Sequence, residues 1–353
     1  MENRKQSVFG ILLINLSVFG LLFIFSIVIG EWALRRIIPS WDHSGLVRVT
    51  STSITYEMKP NLEIVREGVE IKTNSDGFRD SDFSGEPKPG QFLIAVLGDS
   101  FVFGQGVPQS ETFPAVLQNI LNRSQKTETF RVWNLGVSGY NTEQEAYLLR
   151  SFVLQRKPNW VVVGYNINDC EPIGIDPNAT PTGPESTPSW TDRTLNYFKY
   201  ELMIAQVMKQ RVGNVIRMFN PNWYASNYVQ DTLDQYLSHN GGWIKVSGLL
   251  KQMKTECDER GIGFTLAILP AMLNFDNYPY KQANDLILSF CKKNSIDCVD
   301  ILSSFKDHNF MKYWVSSLDP HPNESAQHIF AKALADHLIR QFHYHDLTVS
   351  PGG

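Results

Sequence analysis

Residues 94–100 read IAVLGDS, an apolar run that stops at Gly98-Asp99-Ser100 and continues as FVFGQGVPQSETFPAVL. The run has the composition of a strand buried on both faces. The stretch from Thr112 onward has the spacing of an amphipathic helix. A serine at such a junction has two readings. In one it is an ordinary strand exit, where Gly98 turns the chain and the Asp99 and Ser100 side chains hydrogen-bond the loop backbone. In the other its hydroxyl is held at the carboxyl end of a strand for chemistry. The tripeptide alone does not separate them.

Outward from this stretch the same alternation repeats. Short apolar runs, FLIAVLG, FRVWNLGV, WVVVGYNI, GFTLAILPA and CVDIL, are separated by TFPAVLQNILNRS, TEQEAYLLRSFVLQR, VSGLLKQMKTECDER and KQANDLILSFCKKN. Continuous apolar strands alternating with amphipathic helices predict a parallel sheet covered on both faces, a three-layer α/β domain over residues 91–345. One segment interrupts it. Residues 171–190, EPIGIDPNATPTGPESTPSW, carry Pro172, Pro177, Pro181, Pro184 and Pro188 and exclude helix or central strand. An aromatic-rich helical region follows to Trp243, so 171–243 is expected to be a proline-rich loop with a helical insert, long enough to act as a lid. Residues 31–90 form a strand-bearing lead-in: LEIVREGVEIKTNSDGFRD predicts a hairpin around Glu67-Gly68 and a polar turn at Asn74–Gly77.

The chain has 353 residues, 42% of them hydrophobic and 19% charged, with a net charge of -4 and no long run of like charge. Nucleic-acid binding therefore has no electrostatic footprint. Phosphate-binding loops of the GxxxxGK[ST] and GxGxxG types are absent. Cys170, Cys257, Cys291 and Cys298 show neither a CxxC pair nor zinc-ligand spacing. Cys291 and Cys298 are open to two readings, a disulfide or two unrelated buried thiols.

Residues 8–30, VFGILLINLSVFGLLFIFSIVIG, contain no charge and are long enough to cross a bilayer after a short tail at 1–7. A cleaved signal peptide would have a shorter apolar region followed by a small-x-small site, whereas GEWALRRIIP follows here. A buried core helix rarely runs so long without a polar face. The sequence therefore predicts a membrane anchor. Arg4 and Lys5 on one side balance Arg35 and Arg36 on the other, so flanking charge gives no orientation.

Ligands of open parallel sheets bind beyond the carboxyl ends of the strands. There the first strand delivers Gly98-Asp99-Ser100, the second NLGVSGYNT with Gly136 and Gly139, and the third GYNINDC with Asn166, Asn168 and Asp169. After the fifth, SSLDPHPNESAQHIF brings Asp319 and His321 ahead of a helix beginning near Asn323. Serine, aspartate and histidine thus converge on one rim. In order, GDSFVFGQGV, NLGVSGYNT, NIND and DPHPN resemble the four signature blocks of the SGNH (GDSL-type) hydrolases. The resemblance covers roughly residues 91–342 and implies a flavodoxin-like sheet of five parallel strands. It implies Ser100 as nucleophile and His321 as general base, oriented by Asp319. It further implies an oxyanion hole from the backbone N–H groups of Ser100 and Gly139 and the Asn168 side chain. No metal or organic cofactor is implied.

These roles match elementary chemistry. A serine hydroxyl needs a positioned base, histidine is the usual one near neutral pH, and its second ring nitrogen needs an acceptor to fix the tautomer. The family more often spaces its aspartate and histidine as DxxH; DPH is a variant associated with membrane-anchored relatives. Gly136 rivals Gly139, and Asn166 rivals Asn168, which is preferred because it directly precedes the aspartate of its block. Asp99 reads as a loop brace, His328 as a packing or capping residue, and His343 and His345 as incidental. NSDGFRD is most simply a turn, from which Arg79 would reach an anionic substrate group only if the lead-in folds over the site. Trp190, Trp223, Tyr224 and Trp243 read as core rather than as a sugar platform.

The resemblance implies a serine esterase working through an acyl-enzyme, on O-acetyl or other short acyl esters of an envelope or extracellular glycan. It sets residues 1–7 in the cytoplasm and the catalytic domain on the outer side. Two alternatives are an O-acyltransferase, in which a sugar hydroxyl replaces water, and a non-catalytic binding or assembly module. Joint retention of Ser100, Asn168, Asp319 and His321 argues against the second.

Overall fold

The computed structural model describes residues 2–37, 46–50, 54–66, 68–83, 86–124, 129–171, 221–306, 308–316 and 319–349. Of the loop and insert expected at 171–243, residues 172–220, including Trp190, lie outside the described residues. The chain divides into two units, Met1–Asp42 with Thr180–Phe219, and His43–Ala179 with Asn220–Gly353.

In the first unit, helix α1 (Glu2–Ile37) contains Ile14–Ala33, a span long and apolar enough to cross a membrane. It has no polar face, and Phe19, Leu21, Phe23 and Phe25 are all exposed.

The second unit holds the sheet. Its strands are β5 (Gln91–Gly98), β6 (Thr129–Gly136), β7 (Trp160–Tyr165), β8 (Gly263–Ile268) and β9 (Asp297–Asp300), which follow four short strands of the lead-in. All neighbours are parallel, in the order β6-β5-β7-β8-β9. This is the flavodoxin-like order, in which the chain reverses direction across the sheet between β5 and β7. Both strands that flank the reversal are nearly or wholly buried, which their β-branched and leucine-rich composition suits.

Helices cover both faces. Helix α3 (Phe113–Ser124) follows the short α2 (Ser100–Phe103), and the carboxyl-terminal α8 (Glu324–Val349) packs beside it. Phe113, Leu117 and Leu121 meet Phe330, Leu334 and Leu338 over Ile94, Val96, Val132 and Val162 of the sheet. Because side chains alternate along a strand, Leu93, Ala95 and Leu97, also buried, face the other layer. That layer contains α4 (Thr142–Leu148), then α5 (Pro221–Leu237), α6 (Trp243–Asp258) and α7 (Lys281–Lys293). Helix α4 runs on through a π turn at Leu149–Val153 and is packed against α6.

The lead-in consists of two antiparallel pairs, β1 (Val47–Val49) with β2 (Tyr56–Met58) and β3 (Glu63–Arg66) with β4 (Val69–Lys72). The second is the hairpin expected around Glu67-Gly68, with Gly68 at φ +80°. Asn74 Oδ1 accepts from the Asp76 and Phe78 N–H groups to form the polar turn. Near the carboxyl terminus, β10 (Trp314–Ser316) pairs with β11 (Asp319–Pro322) before α8 starts. The four cysteines are free thiols, so Cys291 and Cys298 are not bonded to each other.

Candidate active site

Strand register builds the floor of the site. Gly98 at the end of β5 lies opposite Gly136 of β6 and Gly164 of β7, so three glycines stand side by side. A Cβ on Gly98 would come within 2.1 Å of Val102 Cγ2, and one on Gly164 within 2.6 Å of the same atom. A Cβ on Gly136 would lie 2.2 Å from the Phe103 nitrogen. The missing side chains let the α2 turn settle directly on the strand ends. Asp99 caps that turn, its Oδ1 accepting from the Phe101 N–H at 2.8 Å. Ser100 is thereby fixed at the first position of the turn, with 7% of its surface exposed.

The histidine arrives from the other end of the chain. Pro320 and Pro322 hold Asp319–Pro322 extended, so residues two apart point to the same side. Asn323 closes the strand: its Nδ2 donates to the Lys312 and Trp314 carbonyls, and its Oδ1 accepts from the Ala326 N–H. His321 Nε2 lies 3.0 Å from Ser100 Oγ, and His321 Nδ1 lies 2.5 Å from Asp319 Oδ1. The same carboxylate oxygen accepts from the His321 backbone N–H at 3.0 Å. Burial pushes the Asp319 carboxyl up, but the hydrogen bonds and charge of His321 outweigh burial and hold it below its ordinary value. A serine, a histidine and an anionic carboxylate therefore stand in one hydrogen-bonded line.

The other two expected oxyanion donors lie on the loops that leave β6 and β7. Gly139 sits in the Val137–Tyr140 turn at φ +82°, a conformation that favours glycine. The backbone N–H of its rival Gly136 is taken up by Asn134 Oδ1 at 3.0 Å, and Gly136 belongs to the floor. Asn168 lies on the 3₁₀ turn Ile167–Cys170 that leaves β7, and its Nδ2 reaches Asp99 Oδ2 at 3.3 Å. Asn166 is buried at the head of that turn, where its backbone N–H donates to Asp169 Oδ2.

Asp99 does more than brace the loop. Its Oδ2 accepts from Asn168 Nδ2 and also lies 3.4 Å from Ser100 Oγ, joining nucleophile and amide through one atom. Burial raises its carboxyl, partly offset by the Phe101 N–H, the charge of His321 and the Asn168 and Ser100 hydrogen bonds. Glu145 and Asp169 are equally buried, and burial together with the charge of nearby carboxyls holds both well above the ordinary range. Sequence reasoning missed this acidic group. Its signal was present in TEQEAYLL, where Glu145 shares a helical face with Leu148 and Leu149.

The remaining polar candidates fall away from the line. The Arg79 guanidinium is 1% exposed and donates to backbone carbonyls, so the alternative that it meets an anionic substrate is overturned. His328 pairs with Glu111 on the surface at 2.6 Å. Trp243 is buried and stacks on Tyr236, as core. The side chains of Trp223, Tyr224, His343 and His345 lie outside the described residues.

Residues 96–329 match the model of the GDSL-like Lipase/Acylhydrolase family. No curated protein sequence matches the chain. Solved structures similar to it include TesA, 15% identical over 70% of this chain and 97% of that one, with a TM-score of 0.43. A variant of Axe2, an acetyl xylan esterase from Geobacillus stearothermophilus, is 14% identical over 72% and 96% of the two chains, with a TM-score of 0.41. The psychrotrophic esterase EstA from Pseudoalteromonas sp. is 13% identical over 71% and 98%, with a TM-score of 0.40.

Proposed function

The chain belongs to the GDSL-like lipase/acylhydrolase family and is an esterase of that type, and from this premise we propose that Ser100, His321 and Asp319 carry the reaction through an acyl-enzyme. His321 Nε2 takes the Ser100 proton as Oγ attacks the acyl carbon. Asp319, anionic and bonded to Nδ1, fixes the tautomer and stabilises the imidazolium that forms. Negative charge then develops on the former carbonyl oxygen. The N–H groups of Ser100 and Gly139 and the amide of Asn168 receive it, each preorganised donor contributing about 3–4 kcal/mol to the transition state. On collapse His321 protonates the departing alcohol oxygen. Water then attacks the acyl-enzyme, with His321 as base again, and the acid leaves.

The favoured substrate is an O-acetyl or other short acyl ester of an envelope or extracellular glycan. The α1 span supports a single-pass anchor that holds the enzyme at such a surface, with residues 1–7 in the cytoplasm and the catalytic domain outside. One observation carries the catalytic reading: the 3.0 Å contact of His321 with Ser100 in line with Asp319. Acetate release from acetylated polysaccharide and from short-chain aryl esters, by wild type and Ser100→Ala, tests it. Hydrolysis of both that vanishes in the variant is expected. Turnover that survives in Ser100→Ala overturns the nucleophile, and acyl transfer to an added sugar in place of acetate release overturns the hydrolase.

A further inference from the structure

The segment ahead of the family match at 96–329 supplies contacts to both loops of the candidate site. Arg79 Nη1 donates to the carbonyls of Phe103 at 3.2 Å and Gly104 at 2.6 Å. Its Nη2 donates to Val107 at 2.6 Å and Glu70 at 3.2 Å. The guanidinium also lies over the Phe103 ring, 5.2 Å from its centroid. The Phe103 and Gly104 carbonyls close the helical turn that begins at Ser100, and helix ends leave such carbonyls without partners inside the helix. All four acceptors are neutral backbone groups. Burying a guanidinium on them is costly, and burial lowers its pKa to about 10. A planar fork spans several fixed carbonyls at once, which an ammonium on a flexible stem does not.

The second loop is held in the same way. Tyr56 Oη donates to the Ser138 carbonyl at 2.9 Å, and Tyr140 Oη donates back to the Tyr56 carbonyl at 2.7 Å. The two rings meet edge to face at 5.4 Å. Ser138 and Tyr140 are the immediate neighbours of Gly139. Gln144 Nε2 adds a bond to the Ile54 carbonyl, and Ser138 Oγ reaches Gln105 Oε1, joining the two loops. Within the lead-in the two grips are one piece, because Gly77 rests on the backbone of Met58 and the Asn61 N–H bonds the Asn74 carbonyl.

We infer that residues 54–83 are a clamp that sets the geometry of the Ser100 turn and the Gly139 loop, with Arg79 and Tyr56 as positioning residues. The inference rests on Ser100 being the nucleophile. It makes the lead-in part of the catalytic apparatus rather than a spacer to the anchor.

The test uses the full chain and four proteins: wild type, Arg79→Lys, Tyr56→Phe, and Val65→Ala as a lead-in control whose side chain is exposed. A fluorophosphonate counts competent Ser100 sites and gives the labelling rate, and p-nitrophenyl acetate gives kcat per titrated site. Arg79→Lys is expected to keep titratable Ser100 while labelling rate and kcat per site fall roughly tenfold to a hundredfold, the scale of a small misplacement. KM should change little. Tyr56→Phe, which deletes one hydrogen bond and keeps the ring, should lose roughly two- to tenfold. Val65→Ala should match wild type. Fewer titratable sites, each turning over at the wild-type rate, would mean a purely structural role and overturn the clamp. So would wild-type rates in both variants, and Tyr56→Phe decides alone where Arg79→Lys does not fold. If wild type is not labelled at Ser100, the nucleophile reading falls and the clamp with it.

Discussion

Asn168 and Ser100 share one acceptor, Asp99 Oδ2, at 3.3 and 3.4 Å. The amide is thus held beside the hydroxyl before any substrate arrives, which is what preorganisation requires. Asn168→Ala should lower kcat by roughly 10²–10³ with little change in KM, as for a contact made in the transition state. Asn166→Ala should do far less, because Asn166 is buried at the head of its turn. Steady-state kinetics of the two variants check this, and reversed effects would move the donor by two residues. On the other side of Ser100, Asp319 remains an anion well into acid because its carboxyl lies below the ordinary value. Asp319→Asn should lose roughly 10³–10⁴-fold in kcat while the fold survives. Near-normal turnover in that variant would mean that another group orients the histidine. Serine, histidine, aspartate and asparagine were legible because the chemistry demands those residue types at strand ends. The double contact of Asp99 was not, since nothing in GDS says that Asn168, on the turn after another strand, approaches the same oxygen.

At the level of elements, the site depends on three strands ending in step. Gly98, Gly136 and Gly164 line up across β6, β5 and β7 and carry the α2 turn. Gly136→Ala should overpack this floor against the Phe103 backbone, costing about 1–3 kcal/mol. For a domain of this size that is a fall in Tm of about 2–4 °C per kcal/mol. Gly139→Ala is expected to differ: at φ +82°, with Gly139 itself exposed, it should lower kcat more than Tm. Thermal melts and kcat, measured on both variants, separate a floor from a donor. Glycines at the ends of all three runs were visible in the sequence. Their alignment was not, because register is set by lateral pairing between distant segments. The extended DPHP strand was legible, since two prolines dictate it. The π turn at Leu149–Val153 carried no such signal.

For the whole molecule, the buried acids tie stability to pH. Glu145, whose two carboxyl oxygens lack a hydrogen-bond partner among the described residues, is held well above the ordinary range by burial and the charge of Asp99. Between the ordinary value and the raised one the folded state binds more protons than the unfolded, so its contribution is complete below the former and is lost as pH rises. Glu145→Gln cannot titrate and should melt higher than wild type near pH 8. The gain should vanish near pH 4, about the ordinary carboxyl value. An equal difference at both pH values would contradict this. The three-layer fold was legible from apolar runs alone, whereas the acid group and the clamp arise from contacts between segments far apart in the chain. Topology is tested by protease on intact cells, which should digest beyond residue 40; protection until lysis would put the domain inside. The nucleophile itself is tested most directly by mass spectrometry of the full chain after fluorophosphonate treatment. One adduct per chain, on the peptide containing Ser100 and absent from both Ser100→Ala and His321→Ala, is the expected result. An adduct on any other serine, or undiminished labelling in His321→Ala, would contradict the account.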